Sequence, residues 1–261
     1  MLNNIYTSLS GAVAQEQAMD IIANNLANLN TVGFKGESVT FTLLNAEPQI
    51  DADQPLPPAN YKISMNDLFP LRGNEISYVG ISGIHKDLSQ GSPIETKNPF
   101  DLMIEGDGFF SVNTPEGVRY TRNGAFSLNA EGALIDQMGN TILGEKGTIF
   151  LKDQKVEINR LGEIYQGETL LDRIQIIKFE NSEQLQNVGK NYLFFDGDSN
   201  GISRIDMPTL KQGYLESSNV NAIKNLTQLI LAHRSYEAYH KAIKNMDGMM
   251  DKSSNVIGQT A

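Results

Sequence analysis

The sequence contains no cysteine, which removes disulfides and thiolate chemistry and leaves the redox compartment open. It has no run approaching the roughly 18 apolar residues of a membrane-spanning helix. The opening MLNNIYTSLSGAVAQEQAMD lacks both a basic n-region and a continuous apolar stretch, so the expectation is no cleavable secretory signal. No G-x-S-x-G, Walker loop or G-x-G-x-x-G occurs, and nucleophile-elbow, P-loop and dinucleotide chemistry lose their support. Positive charge is scarce as well: 21 Lys and Arg face 31 Asp and Glu, for a net charge of -10. Residues 1–35 carry -1 and residues 213–261 carry +1, so the whole excess of -10 sits in 36–212. Phosphate contacts need clustered Lys and Arg, and an acidic middle argues against nucleic acid or an anionic membrane as partner.

What is present is enough for a folded protein. A chain of 261 residues, 40% hydrophobic, can bury a sizeable core without staples. Its 23 glycines beside only 8% aromatics lean toward a turn-rich β component. Positions 2, 5, 9, 12, 16, 19, 23 and 26 read Leu, Ile, Leu, Ala, Glu, Met, Ala and Leu, a heptad-like seam on a helix. Positions 229, 232, 236, 239, 243, 246 and 250 read Leu, Ala, Tyr, Tyr, Ile, Met and Met, a second seam at the other end. Each predicted helix is about 40 Å long at 1.5 Å per residue. Two readings remain open for such helices: docking on the chain's own core, or an intermolecular coiled coil.

The stretch ANNLANLNTVGFK, 23–35, crowds asparagine onto the end of the first helix, although asparagine is a mediocre helix former. Asn24 and Asn28 share a face beside the seam, and Asn25 lies on its other flank. Their amides can bond neighbouring backbones in a packed array. Gly33 is expected to be left-handed at C′, with Phe34 folded back on Leu29 as a Schellman end. Four prolines from Pro48 to Pro58 mark a loop or extended connector. From about Ile76 short apolar alternations begin: FFSVN, VRYT, AFSLN and ALID separated by turn residues, then strands expected at 148–151, 155–159, 162–166, 173–179 and 191–195.

Three constellations invite chemistry. Asp196–Gly201, DGDSNG, matches the start of a calcium loop, but its twelfth position is Met207 where Glu is needed, so a plain turn competes. Glu237 and His240 have di-iron spacing without the remaining ligands. Asp101, Glu105 and Asp107 are loose carboxylates beside turn glycines. No catalytic residue, cofactor site or metal site is expected, and the chain is read as a non-enzyme.

Taken in order, ANNLANLNTVGFK, the block GDGFFSVNTPEGVRYTRNGAFSLNAEGALIDQMGNTILG (106–144) and GYLESSNVN (213–221) resemble the flagellar basal-body rod proteins of the rod/hook axial family. TRNG and ILGEKG resemble the proximal rod member more than the distal one. The resemblance implies an α+β fold in which N- and C-terminal α-helices pair as a coiled-coil-like, tube-forming unit around a mainly β central domain. Its expected divisions are an N-terminal helix at 1–35, an extended connector at 36–75, a β-rich domain at 76–212 and a C-terminal helix at 213–261. It further implies export through the flagellar type III apparatus, location in the basal-body rod, and polymerisation with copies of itself and other axial proteins. The expected interface comprises Leu2, Ile5, Leu9, Ala12, Met19, Ala23 and Leu26, then Asn24, Asn25, Asn28, Leu29, Asn30, Gly33 and Phe34. On the C-terminal side it comprises Asn219, Asn221, Leu226, Leu229, Ala232, Tyr236, Tyr239, Ile243, Met246 and Met250.

Overall fold

Seam residues at both ends form the two long helices of an α+β chain, α1 (Leu2–Ala27) and α2 (Ala222–Gln259), with the β structure between them in sequence. The computed structural model describes residues 2–45, 77–152, 156–181, 184–189, 191–197 and 201–259; the prolines from Pro48 to Pro58 lie outside them. Contacts divide the chain into two compact units: Met1–Ala23, Ser38–Ile84 and Leu226–Ala261 form one, Asn24–Glu37 and His85–Asn225 the other.

In the first unit the two helices pack together. Gly11 faces Tyr239 so closely that a Cβ there would lie 2.6 Å from the ring Cζ. The buried face of α1 is accordingly made of small residues, Gly11, Ala12, Ala14 and Ala18. A bulky tyrosine on one helix fits against the other only where side chains are short, and Leu9 of the expected seam lies outside this contact. Of the predicted α1 seam, Ala12 is buried, Ile5, Met19 and Leu26 are half-buried, and Leu9 and Ala23 are exposed; the side chain of Leu2 is outside those described. On α2 the seam marks the inward side: Ala232 is buried, and Leu229, Tyr236, Tyr239, Ile243, Met246 and Met250 are half-buried. The helix starts at Asn221, whose Oδ1 accepts the Lys224 N–H at 3.0 Å as an N-cap. Strands β1 (Glu37–Asn45) and β2 (Ser77–Lys86) pair as a two-stranded sheet, and the Val79 N–H donates to Ser10 Oγ of α1 at 3.1 Å.

The second unit is the β domain. After β3 (Pro93–Glu95) and β4 (Leu102–Glu105), the expected FFSVN–VRYT hairpin is β5 (Phe109–Thr114) paired antiparallel with β6 (Gly117–Thr121). Successive side chains on a strand face opposite ways. Phe110 therefore enters one core with Leu102, Val112, Leu134 and Ile142, while Phe109 enters a second with Tyr120, Phe179 and Phe195. The run 173–179, expected as one strand, is divided. Thr169–Arg173 belongs to a three-stranded sheet and Ile176–Phe179 to the ten-stranded one. Between them the N–H groups of Ile174 and Gln175 bond Gly162 and Leu143, so a single apolar run serves two sheets. The segment at 148–151 is also shorter than expected: pairing ends at Thr148 and Phe150 makes an isolated bridge to Ala133.

Candidate assembly junction

The end of α1 shows what the asparagines do. The helix stops at Ala27, where Asn28 Nδ2 bonds the Asn24 carbonyl at 2.9 Å and Asn28 Oδ1 accepts the Thr31 hydroxyl at 3.0 Å. Such local side-chain bonds replace the helical ladder. Asn25, buried on the opposite flank, grips one residue of the next strand. Its Nδ2 donates to Glu37 O at 2.7 Å and its Oδ1 accepts the Glu37 N–H at 2.9 Å. Asn219 repeats the device ahead of α2, accepting the Gly36 N–H at 2.9 Å and donating to Asp87 O at 2.7 Å.

Gly33 is left-handed as expected, with φ of 67°, but it is not the end of a Schellman motif. The helix has ended six residues earlier, the Gly33 N–H donates to Glu216 O at 2.7 Å, and the Phe34 N–H donates to Thr31 O at 3.3 Å. The glycine is needed for proximity: a Cβ would stand 2.4 Å from the carbonyl carbon of Arg122 and 2.5 Å from the Asn123 nitrogen.

That approach brings together three charges that sequence reading missed. Lys35 Nζ lies 2.6 Å from Glu216 Oε1, and Arg122 Nη1 lies 3.2 Å from Glu216 Oε2, with all three side chains at most 4% exposed. Burying an ion is costly unless its polar atoms are met, and nearly all are. Glu216 Oε1 also accepts the Gly91 N–H, Lys35 donates to Ser89 O, and Arg122 Nη2 donates to Gly106 O at 2.6 Å. Arg122 Nε is the exception, buried without a partner. Burial lowers the Lys35 ammonium below the ordinary lysine range, opposed by the Glu216 carboxylate. The Arg122 guanidinium is lowered by the same cause. The available signal was that each charge sits in a different quoted signature: GFK, TRNG and GYLES.

The junction thus unites Asn25, Gly33 and Phe34 with Asn219, and Asn221 caps the following helix. Leu29 is half-buried and Asn30 exposed. The chemical candidates are not brought into sites. Glu105 pairs with Lys211, Asp107 pairs with Lys178 at 2.7 Å, and Asp101 accepts the Asn98 amide. His233 and Glu237 are exposed on α2, 3.8 Å apart. Of the loop 196–201, residues 198–200 lie outside the described ones, and Asp196 accepts the Gln186 amide. Among the described residues no three metal-ligating groups cluster, and no helix is long and apolar enough to cross a membrane.

Paired terminal helices, a β domain between them in sequence and a polar clasp where the chain enters and leaves it are the arrangement expected of a structural subunit of the rod/hook axial class. Comparison with known families agrees along the chain. Residues 5–35 match the family described as "Flagella basal body rod protein", 103–176 the "Flagellar hook protein FlgE/F/G D1 domain", and 211–256 the "Flagellar basal body rod FlgEFG protein C-terminal". Flagellar basal-body rod protein FlgF of Caulobacter vibrioides is 30% identical over 248 residues, covering 94% of each chain. FlgG of Buchnera aphidicola from Acyrthosiphon pisum is 33% identical over 272 residues, covering 98% of this chain and all of that one. FlgG of Caulobacter vibrioides is 30% identical over 271 residues, covering 96% of this chain and 97% of that one. The chain belongs to the flagellar basal-body rod protein family. It is a non-enzymatic structural subunit of the rod.

Proposed function

We propose that this subunit is the proximal rod protein of its basal body, FlgF-like, and that it polymerises through α1 and α2 with copies of itself and with other axial proteins after type III export. The observation that carries the proximal reading is how the chain aligns. Its 248-residue alignment with Caulobacter FlgF covers 94% of the chain, about 245 residues, so only about three gaps are opened in this chain. Its 272-position alignment with Buchnera FlgG exceeds the chain's own 261 residues, so gaps must be opened in this chain. The Caulobacter FlgG comparison behaves likewise, with 271 positions over 96% of the chain. The alternative, a distal FlgG-type subunit, is favoured by the 33% identity over 98% of the chain.

Polymerisation through the helices is supported by the apolar residues that the single chain leaves uncovered: Tyr6, Leu9 and Val13 on α1, and Leu226, Ile230 and Leu231 on α2, each at least 45% exposed. Apolar side chains gathered on helix faces mark interaction surfaces. The deciding experiment is a density map of basal bodies purified from cells expressing this chain, with the chain traced by its side chains. Its density in the proximal segment supports the reading. Density in the distal segment alone assigns it as FlgG-type, and helices facing away from neighbouring subunits would remove the polymerisation mechanism.

A further inference from the structure

The β domain carries an open cleft of about 250 Å³ in which uncharged polar side chains, among them Asn24, Asn123, Asn187, Asn191 and Gln137, alternate with the apolar surface of residues such as Phe34 and Met138. Its one charged residue is Asp136. That carboxylate is fully used: Oδ1 accepts the Met138 and Asn140 N–H groups, and Oδ2 accepts the Tyr192 hydroxyl. Asn191 spends its Nδ2 on Val32 O at 2.7 Å, but two other amides are only half used. Asn123 Oδ1 accepts the Ala125 N–H at 3.0 Å and Asn187 Oδ1 accepts the Gly189 N–H at 3.0 Å. A backbone N–H meets an oxygen, so the amide orientation is fixed and the atom left over is the NH2 group. Neither Nδ2 has a hydrogen-bond partner among the described residues, nor does Asn24 Nδ2 or the Gln137 side chain.

We infer that this cleft receives an extended backbone segment of a second copy of the chain, whose carbonyls accept from the Asn24, Asn123 and Asn187 amides. Three observations select that occupant. With no cation in the lining, a phosphate or other anion would find nothing to balance its charge. The aromatic side chains of the lining, Phe34 and Tyr192, are buried, at 4% and 8% exposed, leaving no open ring for a sugar to stack on. And this molecule already uses asparagine amides to hold extended backbone twice, Asn25 on Glu37 and Asn219 on Gly36 and Asp87. The inference rests on the reading that the chain polymerises.

The absence of cysteine provides the test. Gln137→Cys in the full-length chain places a thiol in the cleft at an exposed side chain that bonds nothing described. A neutral maleimide is applied to the free subunit and to purified basal bodies containing it. Labelling in the basal body is expected to slow by about tenfold, the ratio for a site open roughly a tenth of the time. Labelling at the free subunit's rate in basal bodies that demonstrably contain the chain would overturn the inference while leaving the rod assignment intact. Failure of the chain to enter basal bodies would overturn both. Protection of the free subunit by a neutral N-acetylglucosamine oligomer would assign the cleft to saccharide and likewise overturn the peptide occupant. As a second arm, Asn24→Leu is expected to lower incorporation without moving the denaturation midpoint of the free subunit; unchanged incorporation counts against the cleft as a contact.

Discussion

Asn25 holds Glu37 by both of its backbone polar groups, donating to the carbonyl at 2.7 Å and accepting from the N–H at 2.9 Å. The amide does for one residue what a neighbouring strand would do, and it sits twelve residues back on a helix.

Replacing that side chain should therefore strand two groups. Asn25→Ala is expected to destabilise the β domain by about 2–4 kcal/mol, since each buried group left unpaired costs roughly 1–3 kcal/mol. Asn25→Asp keeps the acceptor and loses the donor. Urea denaturation of the purified subunit checks both; an alanine variant within 0.5 kcal/mol of the parent, the usual scatter of neutral surface changes, would show that water replaces the clasp.

Gly33→Ala and Gly139→Ala separate strain from collision. Both glycines are left-handed, at φ 67° and 84°, but a Cβ at Gly139 meets nothing within 4 Å while one at Gly33 meets the Arg122–Asn123 backbone. The Gly139 change is expected to cost about 1–2 kcal/mol, the penalty for an ordinary residue in this region. The Gly33 change should cost clearly more, because backbone cannot step aside as a side chain can. The glycine thus lies within the fold of the single subunit, and its loss should lower the stability of free protein as well as motility. Equal urea midpoints for the two variants would contradict this.

Glu216→Gln leaves Lys35 and Arg122 buried without their counter-charge, and breaking such a pair costs about 3–5 kcal/mol. A pH signature accompanies it. The Lys35 pKa is already lowered in the folded state by burial, and Glu216 is the main influence raising it; without Glu216 it falls further. Between the lowered folded value and the unfolded one near 10.5, the unfolded chain binds more protons, so stability increases with pH there. Below the folded value both states are protonated and the loss is full. The variant should thus recover part of its stability on raising the pH into the alkaline range, over a wider window than the parent, and Lys35→Met in the same background should abolish that recovery. Denaturation midpoints across pH 7–10 read the difference.

Gly11→Val pushes a branched side chain into the space of the Tyr239 ring, 2.6 Å from where even a Cβ would stand. Helix pairing should suffer while the β domain melts as before. Limited proteolysis should then release the termini sooner than in the parent, and motility should fall. Tyr239→Leu combined with it should restore part of the protection; no restoration would mean that the two helices do not meet at this point in solution.

Local features of the fold were legible and distant ones were not. The stripe Leu229 to Met250 repeats every three to four residues because one side of α2 is covered, and periodicity reports that directly. The α1 stripe was legible in part: Ala12 is buried and Ile5, Met19 and Leu26 are half-buried, but Gly11, Ala14 and Ala18, which a search for large apolar side chains passes over, complete the covered face. The left-handed backbone at Gly33 was legible; its cause, a carbonyl eighty-nine positions later, was not. Lys35 and Glu216 are separated by 181 residues and Arg122 and Glu216 by 94, and contacts of that span leave no period in the sequence.

The span has a mechanical meaning. Between Lys35 and Glu216 the chain travels through Ser38–Ile84 of the first unit and then the β domain, yet its two ends touch: Gly33 N–H on Glu216 O, Asn219 N–H on Phe34 O, and the ion pair between. A pull on the segment at Gly33–Lys35 has a short path to the segment at Glu216–Asn219 across this clasp, and the 181-residue detour is in parallel with it. While the clasp holds, the segments before and after the sheets form a closed ring, and a force entering at Lys35 reaches Glu216 without first crossing the sheets. Weakening Lys35, Arg122 or Glu216 would open the ring and put the sheets themselves in the line of force.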